Sequence, residues 1–194
     1  MNKFTSNPEE GLIRRHRYTV DEYYRMGQSG ILKQGDRVEL IEGEIVDMVP
    51  AGSAHVGIVN RLNRLLVQVL GDRAIVSVQN PVRLSAFSEP EPDIALLRPR
   101  DDFYSGAHPG PTNVLLIIEV SDSSLDYDRD VKLPLYARHE IPVVWLIDIQ
   151  RKQLLVFRSP TREGYRDQLV FTSSEVSRVP GLEGIDVNLD GLFP

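Results

Sequence analysis

Cysteine is absent from all 194 residues. That excludes a disulfide framework, a thiol nucleophile and any thiolate-held zinc or iron–sulfur site. Long apolar runs are missing as well. The longest, Val114 to Ile118, falls far short of a bilayer span, and the opening MNKFTSNPEE has no apolar stretch of signal-peptide type. A cytoplasmic setting with no membrane contact is expected. There is no glycine-rich phosphate loop, so nucleotide binding of Walker or Rossmann type is not expected, and His16, His55, His108 and His139 lack HExxH-like spacing. Positive charge is the minority: 22 Lys and Arg stand against 28 Asp and Glu, a formal net charge of −6. This argues against a general coat of nucleic-acid-binding charge and leaves room for a local basic cleft.

With 41% hydrophobic residues, the chain has enough apolar material to bury a core without covalent staples, and its length suits one domain spanning 1–194. Residues 1–17 read as a flexible N-terminal arm, with Arg14-Arg15-His16-Arg17 as a solvated basic cluster. Thr19-Val20-Asp21-Glu22 reads as a capping box opening a short helix from Val20 to Met26. RVELI and EIVDM flank Glu42-Gly43 as a β-hairpin, with Ile41 opposite Glu44 and Glu39 opposite Val46. Ser53 to Leu70 is the clearest helix, with Ser53 as N-cap, Gly71 just past its end, and Val59, Leu62, Leu66 and Val69 facing inward. Ala74–Gln79 and Val82–Ser85 read as extended, Asp93–Leu97 as a short strand, and Arg98–Asn113 as a mobile loop.

Val114–Val120 is apolar on both faces until Glu119, the pattern of a central buried strand. Asp128–His139 reads as a helix that either starts near Asp130 or kinks at Pro134. Val143–Ile149 is a second buried strand, so a parallel pair with a crossover helix is expected. Leu154–Arg158 and Gln168–Thr172 read as antiparallel strands on an edge. The tail, Val179 to Pro194, has no clear period. The fold class is therefore α/β, a mixed sheet with flanking helices and an N-terminal hairpin.

The informative feature is acid beside apolar strand. An ionised Glu119 at the end of a buried strand costs several kcal/mol unless a cation, hydrogen-bond donors or a metal compensates it. Asp93 opens a strand directly after Glu-Pro-Glu-Pro. Two carboxylates on neighbouring strand ends suit a hard cation such as Mg²⁺, which takes one or two carboxylates and completes its shell with water and substrate phosphate. The bland alternative is that both are surface groups or ion pairs.

Pro92-Asp93 followed by Glu119-Val120-Ser121 resembles the PD-(D/E)XK nuclease pattern, with Ser121 where the lysine usually stands. More specifically, RVELIEGEIVDMVPAGSAH, SEPEPDIALL, LLIIEVSDSSLDYDRDVKLPLYAR and IPVVWLIDI resemble the Uma family of restriction endonucleases, in order from Arg37 to Ile149. The resemblance implies a restriction-endonuclease-like core and Mg²⁺- or Mn²⁺-dependent hydrolysis of DNA phosphodiesters. Asp93 and Glu119 would hold the ion. Lys132 would supply the amino group from the following helix, and Glu39 matches the family's early acidic residue.

Other residues carry two readings. His55 is either a neutral core histidine, its protonation disfavoured by the helix N-terminus, or a neutral histidine lining the cleft near the metal. Gln79 and Ser121 are further candidates for the cleft. Tyr136 is expected to pack helix against sheet, with lining the cleft as its lesser reading, and Asp148 to partner an arginine or the backbone. Asp122, Asp126, Asp128 and Asp130 are expected to cap the helix after Glu119. Double-stranded DNA is the expected partner, and a homodimer follows from cutting both strands. The competing functions are an inert nuclease-fold domain serving nucleic-acid binding or assembly, and a hydrolase of small phosphate esters using the same site.

Overall fold

The computed structural model describes residues 15–172, 176–178, 186–188 and 191–193, so the polar lead and most of the tail lie outside the described residues. Helix α1 (Val20–Gln28) opens with the expected capping box. The Thr19 hydroxyl accepts the Glu22 N–H, and Glu22 Oε2 accepts the Thr19 N–H at 2.8 Å. Strands β1 (Val38–Ile41) and β2 (Glu44–Asp47) pair in the expected register. Their turn residues Glu42 and Gly43 sit at φ 50° and 82°, as a two-residue turn in a twisted hairpin requires.

Helix α2 (Ser53–Leu70) has the expected span, but Gly52 holds the N-cap position and no side chain caps the helix. Ile58, Val59, Leu62, Leu66 and Leu70 are buried, while Val69 is only partly so. The strands β3 (Ile75–Val78), β4 (Ile94–Leu97), β5 (Val114–Ser121), β6 (Val143–Asp148), β7 (Gln153–Thr161) and β8 (Gly164–Thr172) form one sheet in sequence order. Only the β5–β6 pair is parallel among these neighbours, so the sheet is mixed. β7 lies inside the sheet and not at its edge; β8 takes the edge. Val82–Ser85 is not a strand. The N–H groups of Val82, Arg83 and Leu84 are taken by the carbonyls of Pro90, Pro109 and Ser88, which leaves no ladder to join. The Arg98–Asn113 loop is pinned by the Arg98 N–H on Asn113 and by the Tyr104 hydroxyl on the Arg98 carbonyl.

Alternation along the strands gives two cores. Ile94, Leu96, Leu116, Ile118 and Trp145 meet α2 on one face. Ala95, Ile117, Val144 and Leu146 meet Leu133, Leu135 and Tyr136 on the other. Glu119 shares parity with Ile117, so it points toward this second layer.

The expected Asp128–His139 helix is broken into α3 (Leu125–Tyr127), one π turn (Asp128–Lys132) and α4 (Leu133–Arg138). The π turn closes with the Leu133 N–H on the Asp128 carbonyl, and Pro134, which has no N–H to give, sits in the first turn of α4. The four aspartates do not cap it: the N-cap of α3 is Ser124, with no side-chain bond. Asp122 accepts from Gln150, Asp126 and Asp130 pair with Arg129, and Asp128 accepts from two serines.

Leu66 is fully buried in the same core as Trp145, the sole tryptophan. Leu66→Ala is expected to cost about 2–5 kcal/mol, read from urea unfolding followed by Trp145 emission. A loss no larger than that of an ordinary surface substitution would contradict this account of the core.

Candidate active site

The register of the sheet builds the site. Ile94 pairs with Ile118 in the antiparallel β4–β5 ladder, so Asp93, one step before, meets Glu119, one step after. The Asp93 N–H points at Glu119 Oε2, 3.4 Å away, and Asp93 Oδ2 accepts the Val120 N–H at 2.9 Å. Asp93 Oδ1 is met by His55 Nε2 at 2.9 Å and by Gln79 Nε2 at 3.3 Å. Gln79 holds a left-handed backbone, φ 49°, at the end of β3.

The broken helix supplies the other half. The Lys132 Nζ lies 3.2 Å from Glu39 Oε2 and 3.3 Å from Glu119 Oε1. One α-helical turn on, the Tyr136 hydroxyl donates to the same Glu119 oxygen at 2.6 Å. Glu39, Glu119 and Lys132 are each 5% exposed or less, so the hairpin, the central strand and the helix meet at one dry charge cluster. Glu39 Oε2 also accepts the Glu91 N–H, which ties the Glu-Pro-Glu-Pro segment to the cluster.

These groups line a cavity of about 430 Å³. Its walls carry Asp47, Glu91, Asp122 and Asp128 besides Glu39, Asp93 and Glu119, against Arg37 and Lys132 as cations and His55. Burial pushes the Glu119 carboxyl up to about 8; the charges of Asp128 and Asp93 add to this, and Lys132 and the Tyr136 hydroxyl oppose it. For Lys132, burial lowers the pKa, but Glu119, Glu39 and Asp128 outweigh it and hold the ammonium charged. The hydrogen bond to Asp93 raises the pKa of His55, with burial opposing. Glu91 is raised by burial and by Glu39.

A Uma2 family model, described as "Putative restriction endonuclease", matches residues 20–190. The chain belongs to the Uma2 family. A crystal structure from Anabaena variabilis ATCC 29413, described as "a putative nuclease belonging to DUF820", has a TM-score of 0.68 to this chain at 18% identity, covering 90% of this chain and 97% of that one. That likeness shows a shared nuclease-like fold. No curated protein matches the chain.

The Uma2 chain brings Asp93, Glu119, Lys132, Glu39 and His55 together on one cavity. Gln79 reaches it through Asp93. Ser121 is fully buried, and its hydroxyl donates to Asp128 at 2.7 Å. Tyr136 packs helix against sheet as expected, but its hydroxyl is also a direct partner of Glu119. Asp148 has the expected structural role, accepting the N–H and guanidinium of Arg151. His55 is not a sequestered core histidine: its side chain is 15% exposed on the cavity wall, and the Asp93 contact raises its pKa against the opposing effect of burial. Sequence reasoning missed Arg37, Glu91 and Tyr127. The signal for Glu91 was the alternation of Glu89, Glu91 and Asp93, which sets acid two residues apart on an extended segment.

The residues fit a divalent cation of the hard, water-keeping kind. Among the described residues no group of three or more His, Asp or Glu side chains is placed to hold a metal ion. Mg²⁺ does not need one, since two carboxylates plus water and substrate oxygens suffice, and the cavity carries surplus negative charge.

Lys132→Met would leave two buried carboxylates without their cation, at an expected cost of about 3–5 kcal/mol; urea unfolding above pH about 8, where both are ionised, measures it, and an unchanged midpoint would contradict the assignment. Because the folded-state pKa of Glu119 is raised, its contribution to stability is full below the ordinary carboxylate range and is lost as pH rises through about 8. Melts in chelator should therefore fall across that window, and Glu119→Gln should remove the slope; equal slopes would refute it.

Proposed function

We propose that this chain is a Mg²⁺- or Mn²⁺-dependent endodeoxyribonuclease, with Asp93 and Glu119 as the metal-holding carboxylates and Lys132 as the charged group beside them. The observation that carries this reading is the Asp93–Glu119–Lys132 constellation on one acidic cavity. A polyanion would not enter walls of this sign unaided, so a bound cation is needed before a phosphate can approach. When bound, a divalent ion supplies Lewis-acid polarisation of the phosphate and a water of lowered pKa.

The protein's own groups do the rest. The β4–β5 ladder fixes Asp93 and Glu119 against each other, so no reorganisation is needed to present two carboxylates. The Tyr136 hydroxyl and the Lys132 ammonium hold Glu119 Oε1, while Oε2 receives only the long 3.4 Å contact from the Asp93 N–H. Lys132, kept charged, would offset the charge that builds on the phosphoryl oxygens as the water oxygen–phosphorus bond forms and the ester P–O bond breaks. Glu39 holds Lys132 from the other side and is a positioning residue in this scheme. Cutting both strands of a duplex would call for a second copy related by a two-fold axis. A cysteine-free chain acting on DNA suits the reducing cytoplasm.

An inert nuclease-fold domain is the second reading. It is favoured by Ser121 at the usual lysine position and by the full engagement of Lys132 with two carboxylates.

Nicking of supercoiled plasmid separates the two. The wild type should nick with Mg²⁺ or Mn²⁺ and stop with chelator. Asp93→Asn and Glu119→Gln should abolish it, and Lys132→Met should slow it about 10²–10³-fold. Undiminished nicking by Asp93→Asn would overturn the assignment, and no nicking by a folded wild type would favour the inert domain.

A further inference from the structure

We propose that Arg37 forms a phosphate subsite at the mouth of the cavity, where its guanidinium takes a DNA backbone phosphate flanking the one that reacts. This rests on the nuclease reading above and deepens it by naming a group that holds the polyanion on walls of its own sign.

Positive charge on the cavity is scarce and unequally placed. Lys132 is buried and shared between Glu39 and Glu119, so its charge is matched at the floor before a substrate arrives. Arg37 lines the same cavity but is exposed, and among the described residues its guanidinium makes no salt bridge or side-chain hydrogen bond. The hairpin fixes its place. The Met48 N–H donates to the Arg37 carbonyl at 2.8 Å, which carries the β1–β2 ladder one step beyond the Val38–Asp47 pair. Residues two apart on a strand share a face and stand about 6.6 Å apart. Arg37 therefore stands on the face of Glu39, one such step further out. Val46 and Met48, opposite these two residues, line the cavity with them. Burial and the charge of Glu39 raise the Glu91 carboxyl, while Lys132 and Arg37 oppose them, so the Arg37 charge acts inside the cavity.

A guanidinium stays charged and offers a planar fork that fits two phosphate oxygens at once. An arginine with no internal partner gives up only water when it takes such a group. The competing role is structural: Arg37 would merely offset the acids around it.

Anisotropy of a short labelled DNA duplex with the full-length protein, in Ca²⁺ and in chelator across a salt series, separates the two roles. Ca²⁺ takes oxygen ligands and lets binding be read apart from cleavage. Arg37→Ala should melt with the wild type and weaken binding in Ca²⁺ about tenfold. It should lower the slope of log K against log salt by about one. Arg37→Lys should keep the slope and regain only part of the affinity. In plasmid nicking, Arg37→Ala should raise KM more than it lowers kcat. If Arg37→Ala binds with wild-type affinity and slope while Asp93→Asn loses the affinity that Ca²⁺ adds, Arg37 is no phosphate subsite and the metal-dependent reading stands. If Arg37→Ala is weakened while Asp93→Asn keeps that added affinity, the subsite stands and the metal assignment falls. No binding by a folded wild type overturns both.

Discussion

A single buried ammonium holds this structure's candidate site together. Lys132 Nζ is within 3.3 Å of carboxylates from the hairpin and from the central strand, and it comes from a third element, the π turn before α4. An ion triad out of water survives only when each charge meets an opposite partner or a donor. Here the Glu91 N–H on Glu39 and the Tyr136 hydroxyl on Glu119 supply the donors. The consequence is mutual dependence: Glu39 of the hairpin and Lys132 of the helix are each buried against the other's charge.

That triad is short of positive charge once Asp93 and Asp128 are counted, and the rest of the cavity makes the shortfall worse. Such surplus is expensive in a dry site. Burial has pushed the Glu119 carboxyl up to about 8, the direction in which a proton would offset that surplus. A bound cation would relieve it by charge. The same feature that weakens the empty fold is what would give the site affinity, and this is the usual relation between strain and function at polar sites.

Much of this was legible in the sequence where a local rule had no competitor. The hairpin register followed from Glu42-Gly43, and the span of α2 from its apolar period. Glu119 stood out because it broke an otherwise apolar strand. The failures share a cause: each depended on what a distant segment offered. Val82–Ser85 had strand-like composition, but its N–H groups found loop carbonyls first. His55 carried no local mark of a charged partner, because Asp93 arrives from 38 residues away. The aspartates after Glu119 have the composition of helix caps, but nearby serines and arginines claim them. Tyr136 was legible as packing and not as a donor, since the periodicity that buries its ring says nothing of what its hydroxyl meets.

The place of Ser121 bears on how an ammonium reaches Glu119 from outside the strand. A residue two positions after Glu119 on the strand shares its face, so a lysine there would reach the same carboxylate from the strand itself. With serine in that place, the side chain instead donates to Asp128, one end of the π turn, while Lys132 stands at the other. A π turn adds one residue to a helical turn and so rotates the next turn by about 100° relative to an unbroken α-helix. With that extra residue in place, Lys132 and Tyr136, one turn apart, both converge on Glu119 Oε1. In an unbroken helix through Pro134 the proline ring would crowd the carbonyl of Asp130, whereas Lys132 and Tyr136, four residues apart, keep one face and so share that oxygen. The serine, the π turn and the proline therefore form one device, and it delivers an amino group to a strand that does not carry it.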